Sequence, residues 1–480
     1  MYQRKERAEN SYYPAFLYMD VDTPDYLHAI AHLPMDERTE AAFLHEYIHY
    51  LQDVTTLSGY TKIGVIVDQM KWAISQKLNG TKVHIPFDPC STSAYNMLPN
   101  EWNRLLNKGH FKIPADRKIS EVISFDKKET SVSLEHGIKK RIKMQAVLTF
   151  KADNGTRYEY TVGEMAISES MAYLIENALY KDVLSSPPDC PYRVVQKIVE
   201  NICPRLNTTE KMVALCDVAL MHQYPGYALY NIIEEINKNN IPDPSIAYIY
   251  MLGLNKEVIT QSGIKDYWYD FDRMNLQAAN QLGDYFREVP YWQGNFNDIS
   301  LAFNNALWLR KNRMGFMIDI LREGRIYQNK TLKQILFGYL GCMCVQTSTN
   351  MIFNIAPVII KNPIEFLYPQ VSEIHVVPPS TVKTDAELFI ALKQIHEIFF
   401  SEAAIQKDQT GQKQISMKCK LQQWCRNSFN HKGELDLTSN GYNCSLSPWL
   451  NVNEEELKQC AFGRLWAAYG LHQIKLLPSK

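Results

Sequence analysis

One stretch decides how the chain folds: residues 43–53 read FLHEYIHYLQD and contain the pattern His-Glu-x-x-His. On a helix, His45 and His49 lie at positions i and i+4, so both imidazoles project from one face, one turn apart. That spacing lets two imidazole nitrogens bind one tetrahedral metal ion at about 2.0–2.1 Å. Glu46 lies beside the pair, where it can take a proton from a water at the metal, so it is the natural general base.

The residues around this motif predict a helix from about residue 37 to residue 57. Asp36 can cap its start, and the first turn is acidic. Apolar residues at helical spacing run beside the histidines, and the pair Ser58-Gly59 predicts the end of the helix. The motif is therefore expected in mid-helix, where a metal site would be held rigidly. The alternative is two partly buried histidines with ordinary hydrogen bonds.

The motif resembles that of the zincin superfamily of metallopeptidases, over about a dozen residues. The resemblance implies that His45 and His49 bind Zn²⁺ and that Glu46 is the base. The metzincin extension is absent, because its third histidine would fall on Thr55. This favours the gluzincin pattern, in which a carboxylate from a second helix completes the site. The form His-Glu-x-x-His-x-x-Gln also resembles bacterial peptidases of phage exclusion.

The third metal ligand is predicted on a helix at residues 163–179. Glu169 has alanines three residues before and after it, and small neighbours let this helix approach another closely. Its Glu-Ser-Met-Ala segment resembles the glutamate-bearing helix of the gluzincins. A carboxylate oxygen of Glu169 is then expected within about 5 Å of a nitrogen of His45 or His49. Glu176, two turns on, can orient a histidine ligand. Asp68 is the alternative ligand, although Lys71 at i+3 fits an exposed ion pair with it.

The remaining pattern predicts a mainly α protein with a small antiparallel β-sheet, an α+β fold. Alternating residues on either side of Asn154-Gly155 predict a β-hairpin, whose edge can receive an extended peptide by strand addition. A shift in composition at residues 185–191 predicts a boundary between a zincin-like metallopeptidase domain at 1–184 and a predominantly α-helical domain at 192–480. Helices of that second part are predicted at 192–203, 209–222, 226–238, 245–254, 272–286, 302–323, 332–345, 385–404 and 454–470.

Composition is that of an ordinary globular protein, with 46% hydrophobic and 21% charged residues and a net charge of −1. It gives no argument for nucleic acid or membrane partners. The N-terminal residues lack the apolar core of a secretory signal, so a cytoplasmic location with reduced thiols is expected. The most apolar stretch, 335–360, is interrupted by polar residues and is expected to be buried helix, turn and strand or helix.

The ten cysteines do not predict a second metal site. Cys419, Cys425, His431 and Cys444 lie in one polar segment, but no pair of them has the usual spacing of two to four residues. Cys342 and Cys344 fit a buried core. The basic residues at 406–446 are expected to be a solvated loop.

These patterns together predict a zinc metallopeptidase that cleaves peptide bonds of a protein substrate. His45, His49 and Glu169 would hold Zn²⁺ and Glu46 would act as the base. An oxyanion-stabilising Tyr, His or Arg is expected, but 28 tyrosines leave the choice open. The alternative is a helical protein-interaction module with a vestigial or structural motif, because helical arrays make extended binding surfaces for partner proteins.

Overall fold

Helices dominate the protein, and its strands form small sheets. The computed structural model describes residues 10–22, 36–87, 117–132, 141–255, 258–260, 263–287, 289, 293–358, 385–407, 411–425, 444–450 and 460–479. Over these ranges the chain is mainly helical with small sheets, in agreement with the α+β class predicted from the sequence. None of the helices described there is long and apolar enough to cross a membrane.

Thirteen helices can be followed in the described residues: α1 Glu37–Thr55, α2 Leu57–Ser75, α3 Glu164–Tyr180, α4 Val194–Ile202, α5 Thr209–Leu220, α6 Pro225–Lys238, α7 Ile246–Leu254, α8 Tyr267–Asp284, α9 Gln293–Asn312, α10 Phe316–Glu323, α11 Lys330–Gln334, α12 Glu387–Phe400 and α13 Ala461–Ala468. The strands are β1 Ser11–Tyr13, β2 Tyr18–Val21, β3 Lys82–Ile85, β4 Ile119–Val132, β5 Arg141–Ala152, β6 Arg157–Val162, β7 Val258–Thr260, β8 Gly263–Lys265, β9 Cys342–Thr347, β10 Ile352–Ile355, β11 Ile405–Lys407, β12 Lys413–Ile415 and β13 Lys475–Pro478.

Two sheets adjoin the helices of the motif region. One lies close to α1, and the other leads into α3. The first has the order β1-β2-β9-β10, with β2 parallel to β9 and the other pairs antiparallel. The second is the antiparallel sheet β4-β5-β6, which leads directly into α3. Because β2 pairs with β9, one sheet joins residues on both sides of the boundary predicted at 185–191. The division into domains at 1–184 and 192–480 stays a prediction.

Helix α1 begins and ends through its own polar residues. The Asp36 carboxylate accepts the Thr39 N–H at 2.9 Å, as predicted for the N-cap. The helix ends at Thr55, because Thr56 is extended and its hydroxyl accepts the Gly59 N–H at 3.1 Å to start α2. A Cβ on Gly59 would lie 2.3 Å from the Asp53 carbonyl oxygen, so only glycine fits this tight junction. Ser58-Gly59 thus opens α2, and the predicted helix end was two residues late.

Side chains on α1 tie it to the loop before β9. The hydroxyl of Tyr47 donates to the Gly341 carbonyl and that of Tyr50 to the Leu340 carbonyl, both at 3.0 Å. Both tyrosines are fully buried and their rings stack with centroids 5.5 Å apart. The face of α1 opposite these contacts is thereby held in a fixed orientation, and this is the face that carries the histidines.

Several local predictions were wrong. The pattern of residues 14–21 predicts a single strand, but the structure has two strands around a turn, β1 and β2. Residues 122–125 and 131–134 predict a hairpin, but the structure has one long strand, β4, paired with β5. The hairpin at Asn154-Gly155 is confirmed. Residues 342–347 form β9 rather than a helix, because a short apolar run buried on both faces has no diagnostic period. Thr161 and Glu164 have the spacing of a capping box, but in the structure Glu164 binds Lys62 at 2.8 Å.

Candidate metal centre

Helices α1 and α3 pack together and bring two imidazoles and one carboxylate to one point. His45 Nε2 lies 3.2 Å from His49 Nε2 and 3.4 Å from Glu169 Oε2. Glu169 Oε2 lies 3.5 Å from His49 Nε2. Among the described residues, these are the candidate ligand atoms found in a group of three within 4.8 Å of one another. The separation expected for Glu169 from the sequence is therefore observed, while its role as a ligand stays a prediction.

The Nδ1 nitrogens of both imidazoles already have hydrogen-bond partners. Glu176 Oε2 lies 3.0 Å from His45 Nδ1, and both residues are buried. Gln52 Oε1 lies 2.8 Å from His49 Nδ1, and the Gln52 amide nitrogen donates to the Ser168 carbonyl at 3.0 Å. A carboxylate and an amide oxygen can only accept, so the network assigns the proton of each neutral ring to Nδ1. Each Nε2 then carries a lone pair.

Three acceptor atoms therefore face one another: two Nε2 lone pairs and one carboxylate oxygen. Such a group is stable only when a proton or a cation lies between its members. Four ligands arranged tetrahedrally at about 2.05 Å from zinc stand about 3.3 Å apart. The observed separations of 3.2, 3.4 and 3.5 Å fit that arrangement. The donor set and its spacing thus suit a zinc ion with a fourth position left for another ligand.

The charges of the group are coupled. Burial lowers the pKa of His49, but the neighbouring Glu169 carboxylate more than offsets this, so the pKa lies above its ordinary value. Burial raises the pKa of Glu169, but His49 and His45 outweigh it and hold the pKa well below its ordinary range. In the metal-free protein both shifts favour a proton on His49 and a charge on Glu169. A metal ion would replace that proton.

Glu46 follows His45 on α1 and is held by the first strand. Its Oε2 accepts the backbone N–H of Tyr12 at 2.7 Å, and its side chain is buried. Since Tyr12 gives this N–H to Glu46, the N–H points away from β2 and towards the motif helix. Within the described residues, β1 pairs only with β2. The carboxylate of the predicted base is thus fixed beside the first strand.

A tyrosine that the sequence could not single out lies beside the ligands. The ring of Tyr192 stands 6.3 Å from the ring of His45, centroid to centroid, and is partly exposed. Its turn is tied to α3, because the Ser170 hydroxyl donates to the Pro191 carbonyl at 3.2 Å and accepts the Val195 N–H. Ser170 follows Glu169, so one short segment positions both a ligand and a phenol. No pattern in the sequence predicts that Tyr192 lies near His45.

Asp68, the alternative third ligand, lies outside this group, and its expected partner Lys71 pairs with another residue. Asp68 does not belong to the group of three. Lys71, its expected partner, binds Asp284 at 3.2 Å. The roles of Gln52 and Ser168 in orienting His49 were missed, since nothing in a sequence signals a contact between a side chain and a distant backbone carbonyl. Glu176 was expected to orient a histidine, and it lies against His45.

No protein-family model, curated protein or solved structure matches this chain. What the centre can do therefore has to follow from its own geometry.

Proposed function

We propose that the protein is a zinc-dependent peptidase of the zincin type, acting on a protein or peptide substrate. The observation that carries the proposal is the convergence of His45 Nε2, His49 Nε2 and Glu169 Oε2 within 3.5 Å, with both Nδ1 nitrogens already bound. Three acceptors that face one another need a proton or a cation between them, and two imidazoles with one carboxylate are a usual donor set of catalytic zinc.

A zinc ion held there would lower the pKa of water to about 7 and polarise a carbonyl as a Lewis acid. Glu46 adjoins this place on α1, and its carboxylate takes the proton of the attacking water. The water oxygen bonds to the carbonyl carbon, the carbon–nitrogen bond breaks, and Glu46 returns the proton to the leaving amine. The Tyr12 N–H holds the carboxylate throughout.

Tyr192 is our choice for the group that stabilises the oxyanion. Its ring lies beside His45 and is partly exposed, so a substrate bound at the centre can reach its phenol. An extended peptide can bind by strand addition, and the hairpin around Asn154-Gly155 keeps the place considered for it from the sequence.

Metal analysis of the purified chain is the first test. About one equivalent of zinc bound through the His-His-Glu group is expected, and Glu169→Ala should lose it because only two ligands remain. Glu200→Ala, on the surface of α4, is the matched control and should keep the metal. A Glu169→Ala variant that retains zinc at the wild-type level would exclude Glu169 as a ligand.

Cleavage is tested with a peptide library made from a bacterial proteome, read by mass spectrometry. Glu46→Gln should keep its zinc and lose turnover by about 10²–10⁴-fold, because the ligands remain and the base is gone. Glu40→Gln makes the same change on the same helix, where the Tyr180 hydroxyl at 2.9 Å can donate to an amide oxygen as well, and should retain activity. Tyr192→Phe should reduce kcat by about 10²-fold with little change in KM.

The alternative function is a helical protein-interaction module. The Glu46→Gln variant distinguishes it from a peptidase. Glu46→Gln, used as bait, should retain proteins that the wild type cleaves. A partner bound equally by wild type and variant, with no cleavage in the library by either, would favour the interaction module.

A further inference from the structure

The turn that joins β1 to β2 has an unusual backbone. Residues 14–17 reverse the chain, and within them Ala15 and Leu17 adopt positive φ angles of 62° and 47°. An L-residue in this region brings its Cβ close to the following carbonyl oxygen, so glycine usually takes such positions. The other two non-glycine residues with positive φ in the described part of the chain are Asn240 and Asn350, a residue type that tolerates it. Ala15 and Leu17 therefore carry backbone strain.

The surroundings of the turn prevent it from relaxing. Both strained residues are fully buried. The Phe16 N–H donates to the Tyr13 carbonyl at 3.2 Å, and the Phe16 ring lies 5.2 Å from the ring of His396 on α12, centroid to centroid. Tyr13 and Tyr18 lie opposite each other in β1 and β2, and their rings stack with centroids 4.9 Å apart. Backbone strain persists only where neighbouring contacts over-determine the conformation, and these contacts do so here.

The turn is mechanically coupled to the predicted base. The Tyr12 N–H donates to Glu46 Oε2 at 2.7 Å, and both residues are buried. Two residues, of which the second is Pro14, separate Tyr12 from the strained Ala15. Because the ring of Pro14 fixes its φ, few bonds can absorb a rotation in the turn before it reaches Tyr12. A change in the turn therefore moves the N–H that holds Glu46.

We propose that the strained turn at residues 14–17 is a positioning element for the base, which keeps the Tyr12 N–H on Glu46 and so orients the carboxylate for proton transfer. This inference rests on the peptidase function proposed above. Strained backbone is concentrated at sites where a group is held ready for its task, and relief of such strain stabilises a protein at the expense of activity. None of the four turn residues contacts the substrate in this proposal, so they act only through Tyr12.

The strain itself is tested at Leu17 with two variants that leave the same kind of cavity. At an ordinary position glycine is less stable than alanine, because it gains more freedom in the unfolded chain. At a positive φ the order reverses, since glycine has no Cβ to strain. Leu17→Gly should therefore have a higher urea denaturation midpoint than Leu17→Ala. The ordinary order, with the alanine variant more stable, would overturn the proposal.

The effect on the base is tested with Ala15→Gly, which removes one methyl group and frees the turn. The value of kcat should fall about tenfold or more, with KM changed by less than about twofold, because a base that is no longer held still costs rate and not binding. Zinc content should equal that of the unmodified chain. Ala278→Gly makes the same change at a buried alanine of α8 and should keep its kcat while losing stability. An equal loss of kcat in both variants would contradict a specific role for the turn.

Hydrogen exchange at the Tyr12 amide gives a measurement that needs no turnover. Read by mass spectrometry, exchange should be slow in the unmodified chain and fastest in Glu46→Ala, which removes the acceptor. Ala15→Gly should lie between the two, and Ala278→Gly should match the unmodified chain. Exchange in Ala15→Gly as slow as in the unmodified chain would overturn the proposal. If the unmodified chain cleaves no peptide, the peptidase function fails, while the exchange rates still decide whether the turn holds Glu46.

Discussion

Helix α1 takes part in two buried polar clusters that differ in one respect. At its C-terminal end, Arg310 binds Asp217 through two hydrogen bonds of 2.8 Å and donates to the Thr55 carbonyl and hydroxyl and the Met314 carbonyl. All five guanidinium protons thus have acceptors. In the middle of the helix, His45, His49 and Glu169 present acceptors to one another. The first cluster is complete within the protein, whereas the second is completed by a proton or a metal ion.

Whether every donor and acceptor of a cluster is paired within the protein distinguishes structural from functional polar groups better than burial does. Arg310 and Asp217 are fully buried, and the histidines are nearly so. A buried charge that is fully paired holds the fold together, and removing one partner leaves the other uncompensated. A group whose lone pairs converge is stabilised when it binds a proton or a metal ion. Each of the following predictions changes one side of this comparison.

The largest effect is expected at the complete cluster. Arg310→Met leaves the Asp217 carboxylate buried without a counter-charge, which should reduce the free energy of unfolding by about 3–5 kcal/mol. Urea denaturation followed by circular dichroism measures it. The double variant Arg310→Met, Asp217→Leu is the control and should recover part of the loss, because no unpaired charge remains. A loss below about 1 kcal/mol in the single variant would show that the pair is not what stabilises this end of α1.

The complete cluster also shows what the sequence could and could not predict. The His-Glu-x-x-His motif, the cap at Asp36 and the Asn154-Gly155 turn are local signals, and the elements they predicted are present. Glu169 could be proposed because its helix has small residues on one face. The pairing of Arg310 with Asp217 joins residues 93 positions apart, and no local pattern specifies it.

The same reasoning explains the errors. β9 was predicted as a helix because six consecutive buried residues carry no period, and only its pairing with β2 decides the matter. Tertiary contacts therefore determine what local patterns leave open.

The second prediction concerns the groups that orient the ligands. Glu176→Gln keeps an oxygen to accept from His45 Nδ1 but removes the charge that makes the ring a better ligand. Zinc affinity should fall by about 10–100-fold, which corresponds to about 1.4–2.7 kcal/mol. Competition with a fluorescent zinc chelator measures the change. Glu200→Gln on α4 should leave the affinity unaltered. Equal affinities in both variants would mean that Glu176 only fills space.

The third prediction follows from the coupled charges of His49 and Glu169. The raised pKa of His49 contributes stability below its ordinary value of 6.5 and loses it as the pH rises through the raised pKa. The lowered pKa of Glu169 contributes above its ordinary value of 4.5 and is lost only in stronger acid. The metal-free protein should therefore lose stability as the pH rises above 6.5 and through the raised pKa of His49.

Bound zinc should reverse the sign of this dependence of stability on pH. The loaded site needs His49 unprotonated, so protons compete with the metal and stability rises with pH over the same range. Denaturation midpoints with a chelator and with excess zinc, compared at each pH, give the two slopes. Glu169→Ala removes both the charge partner and a ligand, so its two curves should coincide. Parallel slopes for the unmodified chain would contradict the placement of a metal at this group.

The smallest effect is expected at Asp68, the carboxylate that competed with Glu169 for the metal. Burial raises its pKa, with Lys71 opposing, so the folded state slightly disfavours the charged form at neutral pH. Asp68→Asn removes that charge and should change the free energy of unfolding by no more than about 0.5 kcal/mol, towards greater stability. Zinc content and turnover should equal those of the unmodified chain, since the aspartate lies outside the group that we propose binds the metal. Loss of zinc in Asp68→Asn, together with its retention in Glu169→Ala, would move the centre into the helical pair α1–α2 and reverse the assignment of the third ligand.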